Sequence, residues 1–113
     1  MKDNTFDVVY SSHLIEDFEN TEAILEEFIR ILKDQGTLIL VFPDQKKYEE
    51  DCKLHGTVPN VAHKIKDMGL MYVYNKLVNL EESGAIDSFT ATMGTEIPPY
   101  NCIIISKIYK KNV

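Results

Sequence analysis

At 113 residues, with 44% apolar and 27% charged side chains, the chain has the size and balance of one ordinary globular domain. Its formal net charge of −6 opposes docking on a nucleic-acid backbone or an anionic membrane, since either would repel such a surface. No apolar run approaches the roughly 18 residues of a membrane helix, and Met1–Thr5 carries no apolar stretch of the kind found in secretory signals.

Phe6-Asp7-Val8-Val9-Tyr10 is short, apolar and β-branched, and predicts a strand buried on both faces. A strand of that kind five residues after Met1 is unusual, because it normally has neighbours on both sides. Asn20 is placed to cap a helix from Thr21. Ile24, Leu25, Phe28, Ile31 and Leu32 then fall on one helical face. Glu22, Glu26 and Glu27 load the early turns and Arg30 and Lys33 the last, as the helix dipole favours. Gly36 is the expected stop. Thr37–Phe42 is a continuous apolar run, again a strand buried on both faces, ended by Pro43. Strand, helix and strand form a βαβ unit with a right-handed crossover.

From Asp44 the chain turns polar to about Asp67, with a short helix over Lys46–Leu54 and then an irregular loop. Gly69–Ser83 predicts a second long helix, its stripe Leu70, Val73, Leu77 and Leu80, its stop Gly84. Ala85–Met93 reads as a strand, Gly94–Asn101 with Pro98-Pro99 as a loop, Cys102–Tyr109 as a last strand, and Lys110-Lys111 as a solvated tail. The fold class is therefore α/β: a partial Rossmann-like sheet of about four strands, two parallel and then an antiparallel pair, with helices packed on it. Cys52 and Cys102 are far apart; no disulfide is expected, Cys102 reads as a small buried hydrophobe, and a reducing cytoplasm is the simplest setting.

Ligands of open α/β sheets bind beyond the carboxyl ends of the strands. Ser11, Ser12 and His13 follow the first strand, and Asp44 follows the second, so both face that edge. His55, Asn60, His63 and Lys64 lie in the polar segment and are candidates to cover a substrate. Cys52 and His55 are three apart, but no second close pair completes a tetrahedral set, so no metal is expected. Tyr72 and Tyr74 read as packing or surface residues.

Three stretches resemble the second half of the class I S-adenosylmethionine-dependent methyltransferase fold, type 11 in particular. Phe6–Asp17 resembles the fourth strand and its turn. Glu26–Leu40 resembles a run of the form E-x-x-R-V-L-K-P-G-G, departing at Asp34 and Gln35 where proline and glycine are usual. Phe42-Pro43-Asp44, Tyr48, Asn60 and His63-Lys64 resemble a bacterial subgroup. The resemblance implies that strands 4, 5, 7 and 6 are present and that strands 1 to 3 would lie beyond Phe6–Tyr10, an interior strand of the larger sheet. It implies that Ser11, Ser12 and His13 line a cofactor pocket. It places His13 near the substrate side; with Asp44 at the neighbouring strand end, His13 is a catalytic candidate, and the polar segment and acidic surface favour a small molecule as the substrate that His55, Asn60, His63 and Lys64 would cover. The Gly-rich turn that brings backbone against the cofactor is missing: the five glycines stand singly. S-adenosylmethionine binding by this chain alone is therefore expected to be weak or absent. The chain reads as an incomplete or split methyltransferase; the competing reading is a non-catalytic scaffold module. A receiver-like signalling domain is set aside, because the strand ends carry no acidic cluster for magnesium. Either surviving reading implies a homo-oligomer or a partner chain pairing with residues 6–10.

Overall fold

The computed structural model describes residues 1–60, 62–97 and 100–111. β1 (Phe6–Ser12) and β2 (Leu32–Pro43) pair in parallel through the helix α1 (Thr21–Ile31), so the βαβ unit forms as its apolar pattern dictates. Asn20 caps α1, its side-chain oxygen accepting from the Ala23 amide at 3.0 Å. α2 (Gln45–His55) and α3 (Leu70–Glu82) follow, then β3 (Ser88–Phe89), β4 (Thr92–Ile97) and β5 (Asn101–Tyr109). The sheet runs β1-β2-β5-β3, with β4 also on β5, and every pairing of β5 is antiparallel. Two parallel strands followed by antiparallel pairing is the expected arrangement. The segment read as one strand over Ala85–Met93 is instead broken into β3 and β4. β4 runs through Gly94 to Ile97, into the segment expected to be a loop; Pro98 and Pro99 lie outside the described residues.

The core fills one face of this sheet. Val9 of β1, Leu38, Leu40 and Phe42 of β2, and Cys102, Ile104 and Ile108 of β5 meet Leu25 and Ile29 of α1 and Val73, Leu77 and Leu80 of α3. The alternate residues point the other way. Tyr10 pairs with Ile39, and Ile39 with Ile105, so these three form a row across the opposite face. There Val8 remains 53% exposed, Tyr10 65% and Ile105 40%. The expectation that Phe6–Tyr10 is buried on both faces is thus corrected. Among the described residues β1 is a sheet edge with β2 as its one neighbour, and neither α1 nor α3 covers its outward side chains.

Two details of the βαβ unit also differ from expectation. Gly36 does not stop α1, which ends at Ile31 with Leu32 already extended. The left-handed residue is Gln35, at φ 63, the position where the resembled run carries glycine. Gly36 is required for space: a Cβ there would lie 2.7 Å from Leu32 Cδ1 and 2.8 Å from the Lys33 carbonyl oxygen. Nor is Lys110 solvated tail. Its Nζ donates to the carbonyls of Ile29 at 2.8 Å and Leu32 at 2.9 Å, and to Asn4 Oδ1 at 2.6 Å, so it caps the C-terminus of α1. Gly84, at φ 84, does follow the end of α3 as expected.

Candidate functional site

The carboxyl ends of β1 and β2 lie side by side, with Ser11 opposite Leu40 and Ser12 opposite Val41. The pairing continues one residue further, where the His13 amide donates to the Val41 carbonyl at 2.8 Å. His13 then turns the chain at φ 54, a left-handed conformation that costs a non-glycine residue about 1–2 kcal/mol. That turn leads into a single 3-10 turn, Ile15–Asp17, which delivers Glu16 beneath the strand ends. Glu16 is 1% exposed. Burial pushes its carboxyl above the ordinary value of 4.5, against the opposing pull of its own backbone hydrogen bond and of His63.

The loop after α2 closes over this carboxylate. The Lys64 amide donates to the Glu16 carbonyl at 2.9 Å, fixing the loop to the turn. His63 follows: its Nε2 stands 3.9 Å from Glu16 Oε2, and its Nδ1 is 2.9 Å from Gln45 Oε1. The Tyr48 ring lies 4.7 Å from the His63 ring, and its hydroxyl accepts from the Asn60 amide at 2.7 Å. Asn60 Oδ1 in turn accepts from the Ala62 amide at 2.9 Å. His13 Nδ1 approaches Glu16 Oε2 from the other side at 3.7 Å. His13 and His63, 50 positions apart in sequence, thus flank one buried carboxylate. Ser11 Oγ is buried close to this edge without a hydrogen-bond partner, as are Glu16 Oε1 and Asp17 Oδ1.

Other sequence candidates are placed differently. Asp44 caps α2, its Oδ1 accepting from the Lys47 amide at 3.1 Å. It also lines an open cleft of about 590 Å³ with Gly69, Leu70 and Tyr72, a cleft that takes in neither His13, Glu16 nor His63. His55 sits in the last turn of α2 and bonds the Asp51 carbonyl of its own helix at 3.0 Å; it makes no contact with the Glu16 cluster. Lys64 meets the site through its amide, while the side chain is exposed. Ser12 is exposed at the strand end. Tyr72 and Tyr74 pack, Tyr72 bonding Thr21 at 3.0 Å and Tyr74 meeting Phe89 edge-on.

Sequence reasoning passed over Glu16, Asp17 and Gln45. Glu16 stands among Asp17, Glu19 and Glu22, and in one sequence a buried acid does not differ from exposed ones. The available signal was the spacing His13-x-x-Glu16, which brings two polar side chains together on one turn.

Residues 1–40 match the family model described as a methyltransferase domain. That span contains the strand-and-turn stretch and the helix-to-strand run that carry the resemblance. No curated protein sequence matches the chain significantly. Solved structures with a similar fold include the PH0226 protein of Pyrococcus horikoshii OT3, at 17% identity and TM-score 0.64, over 96% of this chain and 54% of that one. A SAM-dependent methyltransferase of Thermotoga maritima matches at 21% identity and TM-score 0.60, over 97% and 59% respectively. The plantazolicin methyltransferase BpumL, solved with SAH and a triazolic desmethylPZN analogue, matches at 12% identity and TM-score 0.63, over 96% and 54%. The chain spans 54–59% of the length of these solved proteins.

Proposed function

We propose, for a chain that is methyltransferase-like in fold, that it supplies the acceptor-side half of a site for methyl transfer from S-adenosylmethionine. The Gly-rich half that would hold most of the cofactor comes from residues outside this chain. The supporting observation is the bare apolar sheet face: Val8, Tyr10 and Ile105 are exposed beside an open edge strand. Open α/β sheets carry helices on both faces; here α1 and α3 both contribute to the core on one. A second polypeptide, or a second copy, adding strands beyond β1 and helices over that face would complete a sheet of the ordinary kind.

The residues at the strand ends suit part of such a site. The unpartnered, buried Ser11 Oγ offers a hydrogen bond to a ligand at the carboxyl end of β1. Nothing here replaces a backbone cradle of glycines, which fits weak or absent binding of the cofactor by this chain alone. When bound, the sulfonium supplies a methyl group already attached to a good leaving group, so the protein's work is alignment and proton removal. His13, exposed and backed by the Glu16 carboxylate, would accept the proton of a small-molecule acceptor. Asp44 keeps one oxygen on α2 and turns the other toward Gly69 in the separate cleft, so its part is to hold α2 beside the site rather than to meet the acceptor at His13. His63, Lys64 and Asn60 hold the covering loop; His55 has no assigned part in this arrangement.

Calorimetric titration with S-adenosylmethionine tests the reading, on the chain alone and mixed with the polypeptide encoded directly upstream of Met1. Micromolar binding in the mixture, with none or only millimolar binding by the chain alone, is the expected result. Micromolar binding by the chain alone, or no binding in either, would overturn it, the latter in favour of a non-catalytic module.

A further inference from the structure

The group around Glu16 has the chemistry of a metal site. One ligand atom each from Glu16, Asp17 and His63 lies within 4.8 Å of the others, two being carboxylate oxygens and one an imidazole nitrogen. Two ligands each about 2.1 Å from one ion stand at most about 4.2 Å apart, a limit the Glu16–His63 pair meets and Asp17 reaches with a side-chain adjustment of at most about 0.6 Å. His63 Nε2 and Glu16 Oε2 are 3.9 Å apart, and His13 Nδ1 is 3.7 Å from the same oxygen. Both separations are too long for hydrogen bonds and suit a shared ion.

A second feature points to a ligand independently of the spacing. Glu16 is 1% exposed, yet its Oε1 has no hydrogen-bond partner, and Asp17 Oδ1 is buried without one as well. A buried, unpartnered carboxylate oxygen is costly unless a cation or donor meets it. The orientation of His63 completes the case. Its Nδ1 faces the acceptor Gln45 Oε1 at 2.9 Å, which leaves Nε2 as the nitrogen directed at Glu16. This is how metal-binding imidazoles are held, by a hydrogen bond from the nitrogen that does not ligate. The Tyr48 ring against His63 and the Lys64 amide on the Glu16 carbonyl hold both partners in place.

We propose that Glu16, Asp17 and His63 bind a divalent transition-metal ion. Mixed carboxylate and imidazole donors suit Mn²⁺, Fe²⁺, Co²⁺ or Zn²⁺ better than Ca²⁺, which takes oxygen alone. Three protein ligands leave room for water or an oxygen of a small molecule. The site stands whether or not the chain serves methyl transfer.

Three histidines make the test direct, because His55 lies outside the cluster and reports non-specific binding. Mn²⁺ added below one equivalent to the whole chain should broaden the ring proton signals of His63 and His13 and leave those of His55 sharp. Excess Zn²⁺ should restore them. Glu16→Gln should raise the Mn²⁺ concentration needed by at least about tenfold. Equal broadening of all three rings, no broadening, or a Glu16→Gln variant that responds as the wild type would each overturn the proposal. Should that variant fail to fold, the wild-type pattern and its reversal by Zn²⁺ decide the matter alone.

Discussion

Replacing Tyr10 by Lys tests whether the bare sheet face is a covered surface in the working protein. An aromatic side chain offers about 200 Å² to burial, so the 65% exposed on Tyr10 is about 130 Å², worth about 3 kcal/mol at 25 cal/mol per Å² if fully covered. A partner covering half of it would gain about 1.6 kcal/mol. In a two-fold dimer the residue occurs twice, so its loss costs about 3 kcal/mol, a weakening of about a hundredfold in the dissociation constant. The fold itself should tolerate the change, because Tyr10 points away from the core. Sedimentation velocity over a concentration series should show the wild type associating at tens of micromolar and Tyr10→Lys monomeric over the same range, with nearly equal melting temperatures. A wild type that stays monomeric throughout, or a variant that associates equally well, would refute the reasoning.

Asp44→Asn should keep the α2 cap and the melting temperature, whereas Asp44→Ala should cost about 1 kcal/mol in denaturant unfolding. Lys110→Met should destabilise by about 1–2 kcal/mol by leaving the last carbonyls of α1 without their donor, read from the urea midpoint. Gly36→Ala should cost about 1–3 kcal/mol, since the new methyl meets the backbone oxygen of Lys33 as well as Leu32. Cys52 and Cys102 are both free and buried, and burial pushes the Cys102 thiol up. Neither should react rapidly with a thiol reagent at pH 8 until the chain is unfolded, when both should.

β1, β2, β5, α1 and α3 were legible because their patterns are local: an apolar run, a 3.6-residue stripe, an Asn cap at residue 20. The place of β1 was not, because a strand with Val8, Val9 and Tyr10 reads alike at the centre of a sheet and at a bare edge; its neighbours decide exposure, and among the described residues only β2 pairs with it. Gly36 misled for a similar reason. A glycine near a helix end suggests a positive φ, but this one answers to the Leu32 side chain, while Gln35 carries the left-handed turn. Lys110 beside Lys111 looked like tail because nothing local reveals the α1 carbonyls about 80 positions earlier. At the site, His13 and His63 were visible as candidates. The carboxylate that unites them was not, since its burial follows from residues 62–67 packing against the 3-10 turn, where the Lys64 amide meets the Glu16 carbonyl.

Amide hydrogen exchange across residues 6–12, with and without the polypeptide encoded upstream, tests most directly whether β1 lies inside a larger sheet in the assembled protein. In dilute isolated chain, the β1 amides that face away from β2 should exchange quickly, and complex formation should slow them together with those near Ile39 and Ile105. Slow exchange already in the isolated monomer, or rates unchanged in the complex, would mean that this edge and face receive no further cover.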